Sequence, residues 1–180
     1  MSRIGKKPVA IAGSAKVSVA GRQVTVEAGS NRLSITHPPE VRVRVDDGAK
    51  EVVVERENDS RRAKAMHGLT RSLIANMIEG VTVGYAKDLE INGVGWNAQL
   101  QGRTLNLNVG YADTRSLSIP AGLEVTVQQN KIRVAGPDKQ AVGQFAAVVR
   151  SQRPPEPYNS KGIKYADEVI VTKQGKAFGG

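Results

Sequence analysis

The chain contains no cysteine, and aromatic side chains make up only 4% of its 180 residues. Without cysteine there is no disulfide framework, no thiolate metal site and no cysteine nucleophile. With one Trp, four Tyr and two Phe, the core has to be built mainly from Val, Ile, Leu and Ala. No stretch approaches the roughly 20 apolar residues that a membrane helix needs. Arg3, Lys6 and Lys7 precede a short apolar run at Pro8–Ala12. That run is too short for a cleaved secretory signal and leads straight into strand-like alternation. His37 and His67 are the only imidazoles, and neither has a second ligand at metal spacing; His67 reads as a structural, hydrogen-bonded histidine. There is no G-x-S-x-G, H-E-x-x-H or Walker loop. The acidic neighbours Asp46-Asp47 and Asp167-Glu168 point apart on turns or strand edges, a poor arrangement for acid–base work. These absences argue against an enzyme, a metal, a cofactor, a small-molecule substrate and a membrane, and leave a soluble cytoplasmic protein.

Positive charge is what the chain has in excess: 26 Lys+Arg against 17 Asp+Glu, a net charge of +9. It is spread over two comparable halves, +5 in residues 1–81 and +4 in residues 82–180. Val17–Val19, Gln23–Glu27, Arg32–Thr36, Val41–Val45 and Glu51–Glu55 alternate as half-buried strands do. Gly21, Gly29, Pro38-Pro39 and Asp47-Gly48 punctuate them as turns. The period then changes: Met66, Leu69, Leu73 and Met77, with Thr70 and Ile74, predict a helix capped at Asp59 or Ser60 and stopped at Gly80. Its opposite face carries Arg61, Lys64 and Arg71.

The second half repeats this order. Strands are expected around Leu89–Ile91, Asn97–Leu100, Thr104–Val109, Leu117–Ile119, Leu123–Val127 and Ile132–Val134. A helix from about Asp138 follows, with Ala141, Val142, Phe145, Val148 and Val149 on one face. Gly21–Val26 resembles Gly102–Leu107, Leu33–Ile35 resembles Leu117–Ile119, and Val41–Val45 matches Leu123–Val127. Short matches in one order, each set closing in a helix, point to a duplication. The expected fold is α+β: two similar small domains, residues 1–81 and 82–180, each a mainly antiparallel sheet packed with one helix.

Gly93-Val94-Gly95-Trp96-Asn97-Ala98 satisfies G-x-G-x-x-A after a strand, with Asp113 twenty residues past Gly93. A dinucleotide site needs a helix to begin there and receive the pyrophosphate. The residues that follow alternate instead, so a nucleotide-binding enzyme is the weak alternative. The basic stretches carry more information. Residues 1–26 hold five cations before the first acid at Glu27, and residues 131–164 hold seven cations against Asp138 and Glu156. Cations release counterions from phosphates, the main source of nucleic-acid affinity. Arg153 to Tyr165 has three prolines and interleaves Tyr158 and Tyr165 with Lys161 and Lys164, so cations sit beside rings that can stack on bases or riboses. Proline stiffening lowers the entropic cost of presenting them. This segment reads as an extended loop, followed by a short strand at Glu168–Thr172 and a loose tail. The candidate RNA-binding residues are Arg3, Lys6, Lys7, Arg150, Arg153, Tyr158, Lys161, Lys164, Tyr165, Lys173 and Lys176.

Met1–Pro8, His67-Gly68-Leu69-Thr70-Arg71, Gly93-Val94-Gly95-Trp96-x-Ala98 and Arg153-Pro154-Pro155-Glu156-Pro157-Tyr158 with Lys161–Tyr165 resemble the bacterial large-subunit ribosomal protein six family over essentially the whole chain. The resemblance implies two similar domains from a duplication. It further implies a structural constituent of the large ribosomal subunit. Such a protein binds 23S rRNA chiefly through its C-terminal domain near the translation-factor-binding region, beside neighbouring ribosomal proteins. Two departures stand out. Asn159-Ser160 replaces the family's usual Lys-Gly, and Ala28–Asn31 replaces a Gly-Pro-Lys-Gly-like turn. A free RNA-binding regulator is the other reading of the same surface.

Overall fold

Alternating valines and leucines fold as thirteen short strands and two helices among residues 4–46 and 48–175, which the computed structural model describes. Arg3, Asp47 and Lys176, named above as candidate site or turn residues, lie outside the described residues. The chain separates into two units. One runs to Tyr85 with Pro137–Lys139, and the other comprises Ala86–Gly136 and the residues from Gln140 onward.

In the first unit, β1 (Val9–Ala10), β2 (Lys16–Ala20), β3 (Gln23–Ala28), β4 (Asn31–Thr36), β5 (Val41–Asp46) and β6 (Glu51–Arg56) precede helix α1 (Arg61–Thr82). Two three-stranded sheets form, ordered β1-β6-β5 and β2-β3-β4, with antiparallel pairing throughout. Period-two alternation sends Val24, Val26, Val41 and Val52 inward, where each is at most 1% exposed. Burying a side chain of this kind contributes about 1.5–3 kcal/mol.

Helix α1 starts where Ser60 Oγ accepts the Ala63 N–H at 3.1 Å, satisfying one of the first-turn donors. The other cap candidate, Asp59, pairs with Arg56 instead, and that contact holds its carboxyl below the usual carboxylate range. The helix differs from expectation in two ways. Gly80 does not stop it; Gly80 is buried inside it, and the helix runs on to Thr82, where Val83 N–H reaches Glu79 O at 2.8 Å. Its buried face is also rotated. Ala63, His67, Thr70, Ile74, Met77, Ile78 and Val81 face the core, whereas Leu69 is 49% exposed and Met66 and Leu73 are half-buried. His67 belongs on that face because its Nε2 lies 2.9 Å from Val54 O. Of the cations set opposite, Arg61 is exposed while Lys64 and Arg71 are half-buried.

The second unit contains β7 (Tyr85–Asn92), β8 (Asn97–Gln101), β9 (Thr104–Asn108), β10 (Arg115–Ser118), β11 (Glu124–Gln128), β12 (Lys131–Gly136), α2 (Lys139–Ser151) and β13 (Gly162–Tyr165). Its sheets are ordered β10-β9-β8 and β11-β12-β7-β13. Val142, Phe145, Ala146 and Val149 form the buried face of α2. The duplication recurs in the hydrogen bonding. His37 N–H reaches Arg22 O at 2.9 Å, and Ile119 N–H reaches Arg103 O at 2.9 Å. Val41 N–H to Pro38 O and Leu123 N–H to Pro120 O both measure 3.3 Å, and Ile11 N–H to Lys50 O and Ile91 N–H to Asn130 O both measure 2.8 Å. The fold is α+β, two similar halves of antiparallel sheets with one helix each.

Two expectations fail in the second unit. Residues 162–165, expected to belong to the loop, form β13, an edge strand pairing Ile163 with Ile91. The prolines lie upstream of it, so no ladder hydrogen bond is lost to them. Glu168–Thr172 is no strand, because the chain turns at Tyr165 and Glu168 and leaves the sheet, with Glu168 N–H on Tyr165 O at 3.0 Å.

Candidate nucleic-acid interface

The proline-rich segment between α2 and β13 closes on itself around one acid. Glu156 N–H donates to Lys161 O at 2.9 Å, and Glu156 O accepts Ser160 N–H at 3.0 Å. The Glu156 carboxylate accepts from Asn159 Nδ2 at 2.9 Å and from the Arg153 guanidinium at 3.3 Å. Asn159 Oδ1 in turn accepts Lys161 N–H at 2.9 Å. Asn159 thus works inside the loop, donating and accepting at once. At the base, Gly162 (φ +149°) leaves no room for a side chain, since a Cβ there would stand 2.4 Å from Pro155 Cα.

This geometry sorts the predicted cations and rings of the second unit into two groups. Arg150 grips Glu168 with two hydrogen bonds, Nε to Oε2 at 2.8 Å among them. The pairing lowers the Glu168 carboxyl and raises the Arg150 guanidinium from their ordinary pKa values. Lys164 Nζ lies 3.6 Å from Glu90 Oε2. The Arg153 guanidinium lies over two rings, 4.7 Å from the Tyr111 centroid and 5.5 Å from that of Trp96, distances at which cation–π attraction acts. Tyr165 is half-buried and has Lys87 and Arg150 within 5.7 and 5.8 Å of its ring. These four side chains hold the unit together. Tyr158, 64% exposed, and Lys161 point outward. Lys173 is exposed beside them, its N–H bonded to Pro157 O at 2.8 Å.

Lys6 and Lys7 belong to the first unit and are exposed. Arg71 of α1 fixes their segment by donating to Lys7 O at 3.1 Å and Pro8 O at 3.3 Å. Sequence reasoning missed Glu90, Glu156 and Glu168 as organisers of the basic surface. Their signal was present: Glu156 is one of only two acids between residues 131 and 164.

The G-x-G-x-x-A stretch opens no helix. Residues 93–96 turn and lead into β8, which removes the basis for a nucleotide site there. Gly93 instead gives way to an indole, since a Cβ would stand 2.2 Å from Trp96 Cδ2. Among the described residues no cluster of His, Asp or Glu could hold a metal ion, and no helix is long and apolar enough to cross a membrane.

The family model for ribosomal protein L6 matches the chain in two segments, residues 12–84 and 92–166. The large ribosomal subunit protein uL6 of Rhodopirellula baltica is 50% identical over 178 residues, covering 98% of both chains. Those of Caldicellulosiruptor saccharolyticus (50% over 178 residues, 98% of this chain and 97% of the relative) and Dictyoglomus thermophilum (51% over 179 residues, 98% of each) agree with it. The two matched segments fall on the two halves of the duplication, and the chain belongs to the ribosomal protein L6 family.

Proposed function

We propose that this protein is a structural, non-catalytic component of the large ribosomal subunit that binds 23S rRNA through the loop at Arg153–Lys161. The observation that carries the reading is the division of labour in that loop. Arg153 and Glu156, with Asn159, fix its shape, while Tyr158 and Lys161 are left exposed on it and Lys173 alongside. A pre-shaped loop offering a ring and cations suits a ribose–phosphate surface, with less ordering entropy lost on binding. Arg150, Lys164 and Tyr165 act from behind it, and Lys6 and Lys7, with Arg3 and Lys176, are the secondary candidates. Its protein neighbours would be other large-subunit proteins, and the family resemblance supports a position near the factor-binding region.

The test is binding of the purified chain to a 23S rRNA fragment across a salt series, together with co-sedimentation with large subunits. Affinity that falls steeply with salt, and that falls again when Lys161 is replaced, supports the reading. Binding to rRNA without co-sedimentation would identify a free regulator. Loss of neither affinity nor slope in Lys161→Ala would move the RNA surface elsewhere, with Lys6 and Lys7 next.

A further inference from the structure

The first unit shows how little this fold needs aromatic rings. No Phe, Tyr or Trp precedes Tyr85, and the sheets and helix of that unit close around Val, Ile, Ala and Met. The second unit repeats the architecture, and among its described residues Phe145 is the one buried ring. Trp96 and Tyr111 stand on loops instead. Trp96 is half-buried in the turn before β8, and Tyr111, 36% exposed, lies between β9 and β10. The loop that carries Tyr111 is itself an elaboration. Gly29-Ser30 alone joins β3 to β4, whereas residues 109–114 join the corresponding β9 and β10. The first half of the duplication folds without either ring, so folding does not account for them; Tyr and Trp at a surface are characteristic of interfaces.

Three segments of the second unit bring these rings to a line of guanidiniums. Arg153, which opens the basic loop, lies against both Trp96 and Tyr111, and Arg115 of β10 lies 4.8 Å from the Tyr111 centroid. The order is Trp96, Arg153, Tyr111, Arg115, with ring and cation alternating. Two glycines hold the inner end. Neither Gly93 nor Gly110 has room for a side chain beside the indole, and at Gly110 (φ +78°) a Cβ would stand 2.8 Å from Trp96 Nε1. Stacking on a ring occupies the face of a guanidinium and leaves its N–H donors for acceptors in its plane. Arg153 gives one donor to Glu156. Arg115 meets Asp113 at 3.3 Å, in a pair whose side chains are 44% and 65% exposed. Ion pairs this exposed are weak, and the charge-assisted bonds of a phosphate outcompete them.

We propose that the RNA-binding surface continues from the basic loop, across Arg153, onto Tyr111 and Arg115. There it takes a second, unpaired stretch of the same RNA, with phosphate at Arg115 and ribose or base against Tyr111. Trp96 is a positioning residue, the fixed wall that holds Arg153 beside Tyr111. The occupant is RNA because the patch pairs guanidiniums with rings, which suits a chain of phosphates and sugars, and because Arg153 makes it continuous with Tyr158 and Lys161. The inference rests on the rRNA-binding reading and adds a second point of contact to it.

The experiment titrates the full chain with the 23S rRNA fragment across a salt series. Arg115→Gln should lower the salt slope by about one unit, the full effect of a cation that reaches phosphate, and Arg115→Lys should restore it. Tyr111→Leu should weaken binding at least about fivefold, and Tyr111→Phe should not. Arg32→Gln, which removes an exposed and paired arginine from the first unit, should leave slope and affinity unchanged. Trp96 is the chain's one tryptophan, so its emission should change on binding, with a midpoint that matches the affinity. The exposed Arg115 can be replaced without disturbing the fold, so its variants decide the matter even where a Tyr111 variant shifts the loop. A slope that falls with Lys161→Ala but not with Arg115→Gln confines the contact to the loop and overturns this inference alone. Equal losses from Arg32→Gln and Arg115→Gln would reduce the effect to net charge and overturn it too. A wild-type chain that does not bind the fragment overturns the rRNA reading, and this inference with it.

Discussion

Gly162 packs its α-carbon directly against Pro155, so closely that a single added methyl would stand 2.4 Å from the proline Cα. The contact joins the first residue of β13 to the turn of the basic loop, and φ at Gly162 is +149°. Gly162→Ala should cost about 1–3 kcal/mol through strain and overpacking against backbone. Urea unfolding checks this, and rRNA affinity should fall with it. An unchanged midpoint would mean that the loop can shift without cost.

Glu168 is expected to make stability depend on acid pH. The Arg150 hydrogen bonds, helped by the Tyr165 N–H, lower its folded pKa below that of an ordinary glutamate. A lowered folded pKa gives stability that is complete above the unfolded value and lost as pH falls through the folded one. The wild type should therefore exceed Glu168→Gln in stability at neutral pH, with the gap closing below the ordinary carboxylate range. Denaturant midpoints taken from pH 7 into that range check it; a gap independent of pH would remove Glu168 from the account.

Lys161 and Lys164 should differ, although the sequence places them alike. Lys161 is exposed, whereas Lys164 shares its charge with Glu90 at 3.6 Å. Lys161→Ala should reduce the salt slope of rRNA binding by about one unit. Lys164→Ala should reduce it less. Equal reductions in a salt titration would show that Glu90 releases Lys164 on binding.

In α1 the rotated face decides which truncation matters. Ile74 is 0% exposed and Leu69 is 49% exposed. Ile74→Ala should cost about 2–5 kcal/mol, and Leu69→Ala about 0.5 kcal/mol or less, by chemical denaturation. Comparable losses would restore the face drawn through Leu69.

That face shows what the sequence could carry and what it could not. Strands were legible because period-two alternation survives in a chain of short hairpins, and the repeats were legible because their turns share glycine and proline. The helix face was misdrawn because apolarity alone picks out Met66, Leu69 and Leu73. The true stripe passes through His67 and Thr70, polar residues whose burial depends on partners elsewhere, Val54 O for His67. In the loop, residue types indicated charge and rings but not pairing. Arg150, Arg153 and Lys164 each find an acid, two of them brought near only by the folding of β7, β13 and the turn at Glu168. Val169–Thr172 alternates like a strand, but no edge is paired with it.

The pairing of β13 with β7 also fixes a timetable. β7 opens the second unit and β13 is the last strand among the described residues, so Ile91 waits for Ile163, about 70 positions later. Contacts of such sequence separation form slowly and late. A growing chain can complete the first unit, and most of the second, before Tyr165 is synthesised. Until then the Glu156 turn has no Lys161 to close on and no strand to anchor it. The basic loop thus takes its shape only once β13 has been made, and shorter chains present its residues without its geometry.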